Sequence, residues 1–159
     1  MTNIKELMQN IPQTGKVEWI GIRPARRRPV VPVEEVEVTR ADGLAGDHYG
    51  SDSRKRQVTL IQKEHLDVVG HILKKEIDPG LTRRNIVVSG INLLAFSEKQ
   101  FRIGEVVLEM TGLCPPCTRM EENFGPGGYN ALRGHGGITA RVVSGGKIKI
   151  GDEVKLIND

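Results

Sequence analysis

The sequence predicts a mainly β fold: a closed or nearly closed barrel with one substantial helix and short helical excursions. Stretches in which apolar and polar residues alternate with a period of two lie on both sides of a single segment with helical periodicity. With 4% aromatic residues, 19 glycines and 8 prolines, the composition also favours short strands joined by turns. Because so few helices could not cover both faces of a parallel sheet, a barrel is favoured over βαβ units.

Residues 1–15 are predicted to form a helical extension before the barrel. Four apolar residues recur at the spacing of one helix face: Ile4, Leu7, Met8 and Ile11. Asn3 is a candidate N-cap with Glu6 three residues later, and Pro12 should end the helix. We expect the apolar stripe to pack on the domain, although a partner surface is an alternative.

Residues 16–159 are predicted to form one β domain with seven or eight strands and no internal repeat or linker. The segments with strand patterns are 16–22, 33–38, 57–61, 85–93, 100–112 and 137–157. The Gly-, Asp- and Ser-rich segment 41–56 predicts a loop. The only long helix is expected over approximately residues 62–76, where Leu66, Val69, Ile72 and Leu73 share one face.

The terminal sequence and the hydropathy restrict the class of protein. The N-terminus lacks the basic and apolar regions of a signal peptide, and no run of 18 apolar residues occurs. We therefore expect a cytoplasmic protein without a membrane anchor.

The mild basic excess, a net charge of +3, is concentrated in RPARRRP, residues 23–29. Nucleic-acid-binding arms usually combine such charge with aromatic stacking residues, which this segment lacks, and we expect no nucleic-acid partner. Two interpretations stay open: a solvated proline-rich loop balanced by nearby glutamates, and a surface that faces a phosphorylated small ligand.

The two cysteines, Cys114 and Cys117, flank a Pro-Pro pair. A closed zinc site needs four ligands, and the chain offers no second CxxC or HxxxH to complete one. A thioredoxin-like pair would start a helix after an early strand of a βαβ unit, whereas this pair lies late in a β-rich chain. A reactive thiol is favoured, and a zinc-stabilised structural domain remains an alternative.

Cys117 is the favoured reactive residue of the pair. The segment that follows it, TRMEENFG, could begin a short helix, and Arg119 lies close by in sequence. Both features favour the thiolate, which is the nucleophilic and metal-binding form. The two prolines stiffen the approach to Cys117, whereas Cys114 is more consistent with a small buried apolar side chain.

Three loop segments carry candidate ligand-binding groups. Residues 125–137 contain six glycines, which permit close backbone approach, but they match no nucleotide-binding motif. Residues 81–85, LTRRN, offer guanidinium and amide donors that would suit a phosphate, or form a solvated turn. Asp47 and His48 are either turn residues or a polar pair at a pocket.

Six segments together resemble, in order, the MOSC domain, named for the C-terminal domain of molybdenum-cofactor sulfurases. They are GLAGDHYG, RQVTLIQKEHL, LTRRNIVVSGINL, FRIGEVVLEMTG, PCTRM and NALRGHGGITARVVSGGKIKIGDEV. The similarity extends from about residue 16 to residue 154 and is greatest to small stand-alone bacterial members. It implies a MOSC-type β-barrel over residues 16–159, in agreement with the strand pattern, and we expect no pyridoxal phosphate site.

The resemblance also implies binding of a molybdenum-pterin cofactor, molybdopterin. The cysteine that matches the motif is Cys117, which would either carry sulfur as a persulfide or bind molybdenum, as in relatives that reduce N-hydroxylated compounds. The candidate cofactor-binding residues are Arg83, Arg84, Asn85, Arg119, Asn130, Arg133 and Gly136. A sulfur donor or a molybdoenzyme would be the protein partner, and a non-catalytic cofactor-binding module is an alternative. Cys114 lies outside the motif and could resolve an oxidised or persulfidated Cys117.

Overall fold

The structure, a computed structural model, describes residues 3–49 and 53–158 of the chain. The strands are β1 (Gly15–Ile22), β2 (Val31–Val33), β3 (Glu35–Thr39), β4 (Gly43–Leu44), β5 (Val58–Gln62), β6 (Ile86–Ser89), β7 (Gln100–Ile103), β8 (Val106–Leu113), β9 (Ile138–Ser144), β10 (Gly146–Lys149) and β11 (Glu153–Leu156). The α-helices are α1 (Ile4–Met8), α2 (Lys63–Leu73), α3 (Thr118–Phe124) and α4 (Gly128–Leu132). Short 3₁₀ helices occupy Arg54–Arg56, Pro79–Thr82 and Leu93–Phe96.

Seven strands close into a barrel in the order β1, β6, β5, β9, β8, β7 and β11. Pairing of Gly15 with Val154 and of Lys16 with Glu153 joins β11 to β1 and completes the closure. β5 and β6 run parallel, because α2 carries the chain back to the same end of the barrel. The mainly β, barrel-type fold class predicted from the sequence is therefore confirmed.

The buried apolar side chains form two clusters, one on each face of β5. The larger cluster fills the barrel interior with branched aliphatic side chains such as Val17 and Leu60 and with the stacked rings of Phe96 and Phe101. The smaller cluster lies outside the barrel, where α2, α3 and α4 pack on Ile61 and its neighbours. Because both faces of β5 are covered, all five of its residues are buried.

The structure differs from the prediction in a second, smaller sheet and in the end of α2. β3, β4 and β10 form a separate three-stranded sheet, and β4 lies within the predicted loop 41–56, of which residues 50–52 lie outside the described residues. α2 is shorter than predicted, because Lys74 adopts a left-handed conformation and Lys75 donates its backbone N–H to the Gly70 carbonyl. No helix among the described residues is long and apolar enough to cross a membrane.

Helix α4 was not expected within the glycine-rich segment 125–137. α4 packs closely on α3: at Gly128 a Cβ atom would lie 2.7 Å from the Met120 carbonyl oxygen. Glu121 accepts the backbone N–H groups of Gly127 and Tyr129 at the start of α4. The glycine at position 128 thus permits close contact between two helices.

The expectation that the apolar stripe of α1 packs on the domain is wrong. Asn3 caps the helix by accepting the Glu6 N–H, as the sequence predicted. However, α1 has no buried residue, and Leu7 is 51% exposed. Of the stripe, Ile11 alone packs against the barrel core, because the chain reaches the domain only after the helix has ended.

Candidate functional site

The thiol of Cys117 is exposed and faces a cavity of 340 Å³ at one side of the barrel, called here the thiol cavity. Cys117 is the N-cap of α3, which confirms the short helix predicted after it. Seven arginines line the thiol cavity: Arg23, Arg26, Arg27, Arg56, Arg83, Arg84 and Arg119. The remaining lining residues are Thr59, Cys114, Thr118, Met120 and Glu122.

The thiol cavity is strongly cationic. Glu122 is the one carboxylate among its described lining residues. The pKa of Arg83 is lowered by burial and by the nearby guanidinium groups of Arg119 and Arg23, with Asp47 and Cys117 acting in the opposite direction. Since arginine nevertheless stays protonated in proteins, this crowding of like charges favours an anionic ligand.

Arg84 is buried and uses its guanidinium group to hold the cysteine loop in place. Its Nε donates to the Gly136 carbonyl at 2.8 Å, and its Nη1 donates to the Thr82 carbonyl at 3.0 Å. Its Nη2 donates to the carbonyls of Cys114 at 2.8 Å and Pro115 at 3.2 Å. Burial lowers the pKa of Arg84, and the two cysteines oppose that effect. Four of its five N–H groups are therefore occupied by backbone, and Arg84 acts mainly as a positioning residue.

Asn85 is fully buried behind the thiol cavity, in a network with Asp47 and Arg23. Arg23 donates to both carboxylate oxygens of Asp47, at 3.1 and 2.9 Å, in an ion pair whose carboxylate is fully buried. Asn85 donates to Asp47 at 3.1 Å, and its side-chain oxygen accepts from Arg23 and from Thr59. Asp47 and His48 therefore do not act as a pair. The carboxylate of Asp47 orients Arg23, whereas His48 is exposed and donates its backbone N–H to the Arg23 carbonyl.

Cys114 is 1% exposed, as expected for the less reactive cysteine. Its backbone N–H donates to the Gly137 carbonyl at 2.9 Å, and its Sγ lies 3.7 Å from Nη2 of Arg56. Position 136 requires glycine, because a Cβ atom there would lie 2.2 Å from the Cys114 carbonyl oxygen. The segment from Cys114 to Cys117 is thus fixed from both sides by backbone and by guanidinium groups.

The candidate cofactor-binding residues divide between two places. Arg83, Arg84, Arg119 and Cys117 line the thiol cavity. Arg133 and Gly136 instead line a second cavity of 320 Å³, and Cys114 borders both. Asn130 lies beside the second cavity, where its Oδ1 is 3.5 Å from Nη1 of Arg133.

Sequence reasoning did not select Arg56, and it left the role of Arg23, Arg26 and Arg27 open. Arg23, Arg26 and Arg27 reach the thiol cavity because β1 ends at Ile22 and is paired with β6, which begins shortly after Arg83 and Arg84. Arg56 ends the 3₁₀ helix that precedes β5. A signal was present in the sequence: four arginines and two prolines stand immediately after a strand, where loops of a barrel gather at a mouth.

The described residues contain no group of three or more His, Cys, Asp or Glu side chains that could hold a metal ion. Cys114 and Cys117 are both free thiols. A closed zinc site of four protein ligands is therefore not formed by the part of the chain that the structure describes.

The fold is similar to those of several solved bacterial proteins. The YuaD protein from Bacillus subtilis superposes with a TM-score of 0.77 at 18% identity, over 92% of this chain and 98% of that one. YiiM from Geobacillus stearothermophilus gives 0.74 at 15% identity, over 91% and 75% of the two chains. YiiM from Escherichia coli gives 0.68 at 17% identity, over 91% and 70%. At these identities the similarity concerns the fold alone.

Comparison of this sequence with known proteins and with protein-family models identifies its family. No protein of curated function matches the chain significantly. The model of the MOSC domain, a family linked to molybdenum-cofactor proteins, matches residues 45–155, which is more than two thirds of the chain. The match includes β5 to β9, both cysteines, and the arginines at positions 56, 83, 84 and 119. This chain therefore belongs to the MOSC domain family.

Proposed function

We propose that the chain binds a molybdenum-pterin cofactor in the thiol cavity and that Cys117 acts there as a thiolate. The observation that carries this proposal is that an exposed thiol opens into a cavity where seven arginines face a single carboxylate. Such a cavity suits a ligand with an anionic group at one end and a thiophilic centre at the other.

The arginines supply donors for the phosphate of the cofactor. Among residues 3–49 and 53–158, the guanidinium groups of Arg26, Arg27 and Arg119 have no hydrogen-bond acceptor or ion-pair partner. Each can therefore offer a planar pair of N–H groups to a phosphate. Arg84 and Asn85, whose donors are engaged by the protein, would contribute by holding the cavity walls.

The size of the cavity fits an organic cofactor of this kind. A groove of 570 Å³, lined in part by Trp19 and Leu81, shares Arg27, Arg83 and Arg119 with the thiol cavity. Cavities that bind cofactors and drug-sized ligands measure about 300–1,000 Å³. The two volumes together provide room for a pterin as well as its phosphate.

Cys117 is the residue of this chain suited to the metal. Its sulfur is exposed in a cavity lined by guanidinium groups, and a cysteine thiolate is a soft ligand that suits a sulfur-rich metal centre. When bound, such a cofactor supplies a metal centre that exchanges electron pairs with a substrate, as the reduction of an N-hydroxylated compound requires. The protein orients the thiol through Arg84 and through the carbonyls of the cysteine loop.

Carriage of sulfur as a persulfide on Cys117 is the second candidate function. One observation favours it: Cys117 is exposed, and Cys114, a second thiol in the same rigid loop, borders the same cavity. A donor that itself carries a persulfide would transfer its outer sulfur to the Cys117 thiolate and leave as a thiolate, and Cys117 would pass that sulfur to a molybdoenzyme in the same way. Attack of Cys114 on the Cys117 sulfur would instead form a disulfide and release the outer sulfur as hydrosulfide.

The proposal is tested by purifying the chain from a host that synthesises the cofactor and measuring molybdenum, pterin, zinc and persulfide sulfur per chain. We expect molybdenum and pterin in equal amounts, loss of molybdenum in Cys117→Ser, and retention of both in Cys114→Ser. Arg102 is an exposed arginine of β7 and serves as the control. Loss of pterin in Arg119→Gln but not in Arg102→Gln would support anion binding by Arg119. Persulfide without molybdenum would favour sulfur carriage. One zinc per chain, lost together with the fold in both cysteine variants, would contradict the proposal.

A further inference from the structure

The second cavity shares Cys114 with the thiol cavity, but its walls have a different chemistry. Six apolar side chains dominate them: Leu93, Leu94, Leu113, Pro115, Pro116 and Tyr129. Its volume of 320 Å³ is within the range of small-molecule sites. Leu113 is 63% exposed and Leu94 is 42% exposed, so two leucines at the edge of one concave surface lack partners.

Few polar side chains face this cavity. Gln62 is already engaged, because its Oε1 accepts the backbone N–H of Leu93 at 3.0 Å. Burial and the neighbouring His135 lower the pKa of His65, with Glu64 acting in the opposite direction, and this favours the neutral imidazole. The buried Nδ1 of His135, whose ring centroid is 5.1 Å from that of His65, has no hydrogen-bond partner among the described residues.

Arg133 is the one cation among the described residues that line the second cavity, and no carboxylate lines it. Its one side-chain hydrogen bond among the described residues, from Nη1 to Oδ1 of Asn130 at 3.5 Å, is long and leaves most of the guanidinium N–H groups available. A guanidinium group at the edge of an apolar cavity binds a carboxylate well, because the fork of N–H groups matches the two oxygens.

We propose that the second cavity is a binding site for a small aromatic carboxylate, with the ring among the apolar walls and the carboxylate on Arg133. An aromatic ring suits the walls, because Pro115, Pro116, Tyr129 and His65 present flat faces on which a ring can pack. The volume limits the ligand to roughly one or two rings. The proposed carboxylate site and the proposed phosphate site use different guanidinium groups, since Arg133 does not line the thiol cavity.

The experiment titrates benzoate, and separately the uncharged isostere benzamide, into the purified chain and follows the ring-proton NMR signals of the histidines. We expect benzoate to shift the His65 signal saturably. We expect benzamide to bind at least about tenfold more weakly, because it lacks the charge that Arg133 would pair with. Arg133→Gln should weaken benzoate binding by a similar factor, whereas Arg102→Gln should leave it unchanged.

A second pair of variants tests the apolar wall. Leu94→Asp places a carboxylate at the exposed edge of the cavity and should abolish benzoate binding. Leu7→Asp, at a similarly exposed leucine on α1, should not. Circular dichroism verifies that each variant is folded. The inference is overturned if benzoate causes no saturable shift, if benzamide binds equally well, if Arg133→Gln binds benzoate as tightly as the wild type, or if binding survives in Leu94→Asp.

Discussion

Replacing Arg84 by Met should destabilise the protein by about 3 kcal/mol, because three segments of the chain depend on its guanidinium group. The four carbonyls that it binds belong to Thr82, Cys114, Pro115 and Gly136. Three of these residues, Thr82, Cys114 and Gly136, are buried, and water cannot easily replace the lost donors there.

The magnitude follows from those three buried carbonyls. Each buried acceptor left without a partner costs about 1–3 kcal/mol, which gives roughly 3–9 kcal/mol in total. Burial lowers the pKa of Arg84, so desolvation acts against the cation, and removing the charge returns part of that cost. The lower end of the range is therefore the expected result.

Urea unfolding followed by the fluorescence of Trp19 measures this loss. Trp19 is the single tryptophan and packs against the smaller apolar cluster, so its emission should report the unfolding. Arg84→Lys keeps the charge but not the planar fork and should cost about half as much. The exposed Arg102→Met should stay within about 0.5 kcal/mol of the wild type. An Arg84→Met variant equally close to the wild type would refute the reasoning.

Three further predictions concern the cysteines and the segments around them. Iodoacetamide at pH 7 should alkylate Cys117 before Cys114, because Cys114 is 1% exposed, and mass mapping that finds Cys114 modified first would contradict this assignment. Gly136→Ala should destabilise the fold by at least about 2 kcal/mol in the same urea assay, since its Cβ would meet the Cys114 carbonyl, and a neutral effect would argue against that contact. Backbone hydrogen bonds from Tyr129 and Gly127 lower the pKa of Glu121 from its usual 4.5. Its stabilising contribution is thus present above that value and lost as the pH falls through the lower folded pKa, so Glu121→Gln should weaken the acid sensitivity of unfolding between pH 6 and pH 3.

The strands were predictable because alternation of apolar and polar residues encodes one buried face. β3 shows it plainly, with Val36 and Val38 buried and their neighbours exposed. α4 was not predictable in the same way: its first residue, Gly128, was interpreted as part of a loop, because glycine is a poor helix former. The advantage of glycine there arises from contact with α3, which no local pattern reports.

The candidate site was predictable in its chemistry and only partly in its geometry. Cys117 and Arg119 are close in sequence, so their common location followed from local reasoning. Arg133 was grouped with them because guanidinium groups suit a phosphate, but the sequence does not encode that it lines a different cavity. Arg23 reaches the thiol cavity through the pairing of β1 with β6, a contact between distant segments that only the folded barrel creates.

Closure of the barrel by β1 and β11 has a consequence for the order of events during synthesis. β1 leaves the ribosome long before β11, which holds the partners of Gly15 and Lys16. Until residues 153–156 have emerged, the nascent chain exposes unpaired backbone at this end of β1 and along β7. A ribosome that stalls or terminates before that point releases a sheet with two open edges, a form prone to pair with other chains. β11 is therefore the strand whose loss we expect to promote aggregation most directly.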